Sequence, residues 1–202
     1  MITKQEQKIL VFFAAFWSAI EVSVGTILSL SKMPFRGFLL SSITCFFLIS
    51  FRYIVDKPRT SLYLASIVAI VKLIFSFGAG GLNSALAIFL EGLIAEYIFS
   101  SLGINLISSS LVGGFIVLYP FVHGIAAQTL VFGADFIKFY NIIFRELQMI
   151  LGKTINLTIL ELIMFFAMVY VIIGIIVGTI SFFLAKKIIG PIIIHSKENG
   201  LE

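Results

Sequence analysis

The chain alternates long apolar runs with short polar breaks, and six of the runs are long enough to matter. They cover about 9–30, 37–54, 61–77, 82–102, 104–130 and 157–184. A bilayer-crossing helix needs about 20 apolar residues. The pattern therefore predicts an all-α integral membrane protein: one transmembrane domain over 1–202, built as a bundle of about six helices. The breaks carry helix-stopping chemistry. The first run ends at Lys32 and Pro34, and the second is bounded by Arg36 and by Arg52 with Asp56-Lys57-Pro58-Arg59. The third ends at Gly78-Ala79-Gly80-Gly81, where glycine's large loss of freedom on ordering disfavours helix. Gly103 separates the fourth from the fifth, and the short, uncharged connections after runs three and four predict tight helical hairpins.

The fifth run exceeds what a bilayer requires, and Pro120, His123 and Gly124 in its second half predict a kink or an early exit. The sixth stops at Lys186-Lys187, leaving a short polar tail from about His195 to Glu202. Between runs five and six, Lys138, Asn141, Arg145 and Gln148 recur at helical spacing, with Phe, Tyr, Ile and Leu on the other faces. With Gly152 as a C-cap, Asp135 to Leu151 reads as an amphipathic helix lying at the interface or capping the bundle.

Composition strengthens this picture. The chain is 60% hydrophobic, only 12% charged and holds 22 Phe, with a mean hydropathy of +1.14. A soluble domain carries roughly 25% charge. The formal net charge of +4 does not point to nucleic acid, because Lys and Arg stand in ones and twos at the ends of apolar runs, the pattern that sets membrane topology. With the N-terminus inside, inner segments carry Lys4, Lys8, Arg52, Lys57, Arg59, Lys186, Lys187 and Lys197. Outer segments carry Lys32, Arg36, Lys138, Arg145 and Lys153. Both termini are therefore expected on the cytoplasmic side of the cell membrane. The first run is too long for a signal-peptide core and contains Glu21, so it reads as a retained helix. Cys45 is alone and reads as a small buried hydrophobe; a single cysteine makes neither an intrachain disulfide nor a CxxC metal site.

Charge inside a span costs about 2.5–3.5 kcal/mol at a helix centre, so each such residue needs a reason. The candidates are Glu21, Lys72, Glu91, Glu96 and Glu161. Lys72 and Glu91 each lie about ten residues from the Gly80-Gly81 turn, which predicts a buried pair across the hairpin, either lining a site or fixing the hairpin. In run four, Ala87, Glu91 and Ala95 share one side, with Ala85, Gly92 and Glu96 adjoining. Small residues let helices approach closely, and two acids in that seam predict a polar cavity, with one of them alternatively protonated and merely hydrogen-bonded. Asn83 opens the same run. Tyr119, His123 and Gln128 add polar groups to run five, where His123 is either a ligand contact or a packing residue. Run one pairs Ala14 with Ser18 and Ala15 with Ala19 at helical spacing, and run six carries Gly174-x-x-x-Gly178, a seam expected to pack within the bundle.

Taken together, this organisation is similar to the substrate-binding (S) components of energy-coupling factor transporters: about 200 residues, six spans, termini inside and no nucleotide-binding domain. Ala15 and Ala19 match that family's docking motif on helix one, and the loop from Gly78 to Asn83 matches its gate. The stretch Glu91-Gly-Leu-Ile-Ala-Glu96 also resembles one in the YkoE-type branch, linked to thiamine or its pyrimidine precursor. The resemblance implies a subunit that binds a vitamin or similar small molecule near the outer face, without chemistry or cofactor. It also implies partners, a membrane scaffold protein and ATP-binding subunits, docked through Ala14, Ala15, Ser18 and Ala19. Substrate would meet Glu91, Glu96, Asn83, Lys72, Tyr119, His123 and Gln128. The alternatives are a self-sufficient small transporter or channel, a structural or assembly subunit, and a small membrane enzyme. Against an enzyme, the chain lacks His-Glu-x-x-His, Gly-x-Ser-x-Gly and an Asp-rich prenyl-diphosphate motif, and its two histidines leave little for a metal site.

Overall fold

Polar residues at the run boundaries close the backbone of the helices they start. Thr3 caps the first helix through a reciprocal box with Glu6: Glu6 N donates to Thr3 Oγ1 at 3.2 Å and Thr3 N to Glu6 Oε2 at 2.7 Å. Asn105 and Ser108 make the same exchange at the fifth, at 2.9 and 3.0 Å. A computed structural model of the chain describes residues 2–31, 36–76, 79–133 and 159–198. They form α1 (Lys4–Leu30), α2 (Arg36–Ile54), α3 (Thr60–Phe75), α4 (Ala79–Leu102), α5 (Leu106–Phe132) and α6 (Ile159–Glu198). Among the described residues there is no strand. Five helices are long and apolar enough to cross a membrane, and α3 is a shorter apolar helix.

The helices α1, α3, α4, α5 and α6 form an arc in that order, and α2 packs against every one of them. This central position explains why α2 buries polar residues along with apolar ones: Ser41, Thr44, Ser50 and Arg52 are buried beside Phe47, Leu48, Ile49 and Phe51. Trp17 of α1 is fully buried and stacks on Phe47 with ring centroids 5.9 Å apart. Outward positions are apolar too, among them Phe12, Phe16 and Ile27 of α1, Tyr97 of α4, and Met164, Met168, Ile176 and Phe183 of α6.

Two boundaries differ from the sequence reading. The fourth helix starts at Ala79, so Gly80 and Gly81 lie in its first turn instead of a loop. Gly81 is needed there because a side chain would strike the carbonyl oxygen of Ser76. The fifth helix runs to Phe132 with Pro120 inside it, close to the bounds expected of the fifth run. The sixth continues past Lys186-Lys187 and Pro191 to Glu198, replacing the polar tail expected from His195. The amphipathic helix expected over 135–151 lies outside the described residues.

Backbone meets backbone closely where α5 packs on α6. A Cβ on Gly113 would strike the Gly174 carbonyl oxygen, and one on Gly178 the Ser109 carbonyl oxygen. Ser110 Oγ and Thr179 Oγ1 share a hydrogen bond of 2.8 Å along the same seam. The Gly174/Gly178 pair thus packs within the bundle, as its spacing predicts.

Candidate functional site

Two ends of the bundle carry different polar chemistry. One end holds the start of α1, the α2–α3 turn and the α4–α5 turn; the opposite end holds the α3–α4 turn and the start of α2.

At the α2–α3 end, Glu96 of α4 serves as a cap for a neighbouring helix. Its carboxylate accepts the backbone N–H of Arg59 at 2.6 Å and of Ser61 at 3.0 Å, and also the Ser100 hydroxyl. These are free N–H groups at the start of α3, where a carboxylate is favoured. Arg59 has φ of +70°, in the left-handed region, and its own side chain makes no cap bond. Glu96 therefore supplies what the local sequence does not. Arg52, 3% exposed, places Nη1 3.6 Å from Glu96 and donates to Thr60 Oγ1 at 2.9 Å and to the Lys57 carbonyl. Its Nε lies 3.3 Å from Asp56 Oδ1. Lys57 Nζ reaches Glu6 Oε2 at 2.7 Å, tying the start of α1 to the same knot.

Nearer the opposite end lies a second polar group. Glu91, buried midway along α4, accepts a hydrogen bond from Ser41 of α2. Lys72 does not pair with Glu91 across the hairpin. It turns to α1, where Nζ lies 3.6 Å from Glu21 Oε1 and donates to the Glu21 carbonyl at 2.6 Å. Room for it comes from Gly25, where a Cβ would sit 2.6 Å from Nζ. Equal depth in a hairpin is not enough to pair two charges: α3 touches α1 as well as α4, and α1 offers both a carboxylate and a carbonyl. The two acids of α4 also part company. Five residues rotate a helix by about 140°, so Glu91 faces α2 and Glu96 faces the start of α3.

Tyr119, His123 and Asn83 do come together. His123 Nε2 lies 2.8 Å from Asn83 Oδ1, and Nδ1 lies 3.1 Å from Tyr119 Oη, with the two rings stacked at 5.3 Å. An amide oxygen only accepts, so the proton is assigned to Nε2 and Tyr119 donates to Nδ1. Tyr119 is within electrostatic reach of Glu91, and Glu91 of Glu21, so these groups form one neighbourhood. Aromatic rings of Phe38 on α2, Phe121 on α5 and Tyr170 on α6 also meet, Tyr170 lying 5.8 and 5.0 Å from the other two. Gln128 lies on α5, with its side chain outside the described residues.

The small residues of α1 divide by face. Ala14 and Ser18 are buried against the bundle, whereas Ala15 and Ala19 are exposed. All four line an open groove of about 490 Å³ between α1 and α3, completed chiefly by Ile67, Val71 and Phe75. Ser41, Gly25 and Arg52 take part without having been read as site residues, and Glu21, read as a charge in need of a reason, finds its partner in Lys72. A buried acid one turn beyond Trp17 was the available signal for Glu21, while Ser41 carries none. Comparison of the chain with protein-family models, with characterised proteins and with solved structures finds no match in any of the three.

Proposed function

We propose that the chain is a multi-pass cell-membrane protein with its α2–α3 end cytoplasmic, and that it is the substrate-binding subunit of an uptake system. It would bind a vitamin or similar small molecule near the outer face, with transport driven by a separate scaffold protein and ATP-binding subunits. The groove over Ala15 and Ala19 carries this reading. It is apolar, it lies along the length of α1 that would be in the bilayer, and its small side chains admit a partner helix at close range. The neighbourhood of Glu91, Ser41, Tyr119, His123 and Asn83 supplies donors and acceptors with aromatic surface, the mixture expected of a small-molecule site. It belongs to the outer half under the orientation proposed. Glu96 is left out of the site because its oxygens are already occupied by the start of α3 and by Ser100.

Two measurements test the reading. Native mass spectrometry of the detergent-extracted chain is expected to find a retained vitamin-sized molecule, lost in Tyr119→Phe/His123→Leu. Ala15→Leu/Ala19→Leu fills the groove and is expected to abolish co-purification of the scaffold while the small molecule stays bound. A scaffold that still co-purifies with the double variant refutes the docking role. A bare chain that moves solute or ions alone in vesicles favours a self-sufficient transporter.

A further inference from the structure

The core around Glu91 holds two carboxyls and one ammonium. Glu91 of α4 is 3% exposed, and Glu21 of α1 and Lys72 of α3 are buried with it. The ammonium is already committed: Lys72 Nζ lies 3.6 Å from Glu21 Oε1 and donates to the Glu21 carbonyl. Among the described residues, no ion pair joins Glu91 to a lysine or an arginine. The helices packed on α4 are α2, α3 and α5. From α2 come Ser41, Thr44 and Cys45, and from α5 comes Tyr119. His123, the next titratable group on α5, is held between Tyr119 and Asn83. Lys72 of α3 is turned to α1, and the acid it pairs with there, Glu21, is within electrostatic reach of Glu91. With both acids ionised, this group would carry one uncompensated negative charge.

The three buried acids differ in the partners they are given. Glu21 has an ammonium, and Glu96 has two backbone N–H groups with Arg52 beside it. Ammonium, guanidinium and backbone N–H only donate, which suits a fixed anion. Glu91 is bonded by hydroxyls instead: Ser41 donates to its Oε1, and Thr44 is the second. A hydroxyl both donates and accepts. Two of them can give one hydrogen bond to the carbonyl oxygen of a neutral acid and take one from its O–H. A carboxylate buried without a cation is costly, and such a group keeps its proton instead.

We infer that Glu91 is a proton-binding site in the core of the bundle: it stands as the neutral carboxylic acid between the hydroxyls of α2, while Glu21 is the ionised partner of Lys72. The bound proton balances the charge that Lys72 does not. It leaves when another positive charge takes its place or when α2 and α4 part to admit water. An ionisable residue at this depth is a functional element by default, and this one ties proton release to the packing of α2 on α4. The inference stands on burial, charge and the kind of partner, and holds whether or not the chain serves in uptake.

The test is infrared difference spectroscopy of the full chain in nanodiscs at neutral pH, parent minus Glu91→Gln, a substitution that keeps the shape of the neutral acid. The carbonyl stretch of a protonated carboxylic acid is expected in the parent and lost in Glu91→Gln. It should remain in Glu21→Gln/Lys72→Met, which removes the ion pair without stranding either charge, and be the same in sodium and choline buffers. Absence of the band from the parent overturns the proposal. So does a band kept in Glu91→Gln, which would put the proton on another acid, or one lost in the double variant, which would put it on Glu21. A band that sodium abolishes overturns it too, because the site would then take a metal cation in place of a proton.

Discussion

Removing the ammonium of Lys72 should be among the most damaging single changes in the bundle, because it strands a carboxylate. Glu21 and Lys72 are 3% and 5% exposed, with Nζ and Oε1 3.6 Å apart. At an effective dielectric constant near 20, two unit charges at that distance attract by about 4–5 kcal/mol. Desolvation offsets much of this, so the pair itself adds little net stability. Breaking it is another matter: a buried charge left without its partner typically costs about 3–5 kcal/mol. Lys72→Met is therefore expected to lower unfolding free energy by about that amount, two to four decades in the folded-to-unfolded ratio at about 1.4 kcal/mol per decade. Adding Glu21→Gln should restore stability to within about 1–2 kcal/mol of the parent. The assay is a double-mutant cycle by denaturant titration in mixed micelles, run for Lys72 with Glu21 and again for Lys72 with Glu91. The first cycle should give a coupling of about 2–3 kcal/mol and the second less than about 1 kcal/mol. A larger coupling with Glu91 would restore the hairpin pairing and refute the placement of Lys72 against α1. A cost of Lys72→Met below about 1 kcal/mol would mean that the ammonium is solvated.

Other outcomes follow from the same geometry. Glu96→Ala removes the acceptor for two backbone N–H groups of α3 and leaves Arg52 facing an apolar side chain; a loss of about 3 kcal/mol is expected by the same titration, and less than about 1 kcal/mol would refute the capping role. Gly174→Leu should cost about 1–3 kcal/mol or more, because its side chain would meet Gly113 and Gly114 backbone atoms. Gly124→Ala, in the same helix pair but with nothing within 4 Å of the added Cβ, should instead gain about 0.5–1 kcal/mol; thermal unfolding of the two variants side by side checks both signs. Ser41→Ala should remove one buried donor to Glu91 at a cost of about 1 kcal/mol, and no loss would mean that Thr44, the other hydroxyl bonded to the acid, satisfies it alone.

The elements themselves were legible from the chain. Apolar run length and flanking charge mark all six helices, and the Gly174/Gly178 spacing marks a seam, because lipid-type helices announce themselves through continuous hydrophobicity and small residues where backbones meet. Their ends were less legible. Gly80 and Gly81 read as breakers, yet they lie in the first turn of α4, because the reversal at Ser76 needs a missing side chain more than it needs a loop. Partnership was the least legible of all. Lys72 and Glu91 are neighbours by hairpin arithmetic, and Glu91 and Glu96 are neighbours along one helix, but neither relation decides a contact. Glu96 goes to the start of α3 because Arg59 and Ser61 offer unpaired N–H groups there. Lys72 goes to α1 because Gly25 leaves space beside a carbonyl and a carboxylate. The sequence by itself determines which residues are too costly to leave unpaired in an apolar bundle. Only the packing of α1 against α3, and of α2 against all the others, decides which atoms satisfy them, since that choice depends on distances of a few ångströms between helices far apart in the chain.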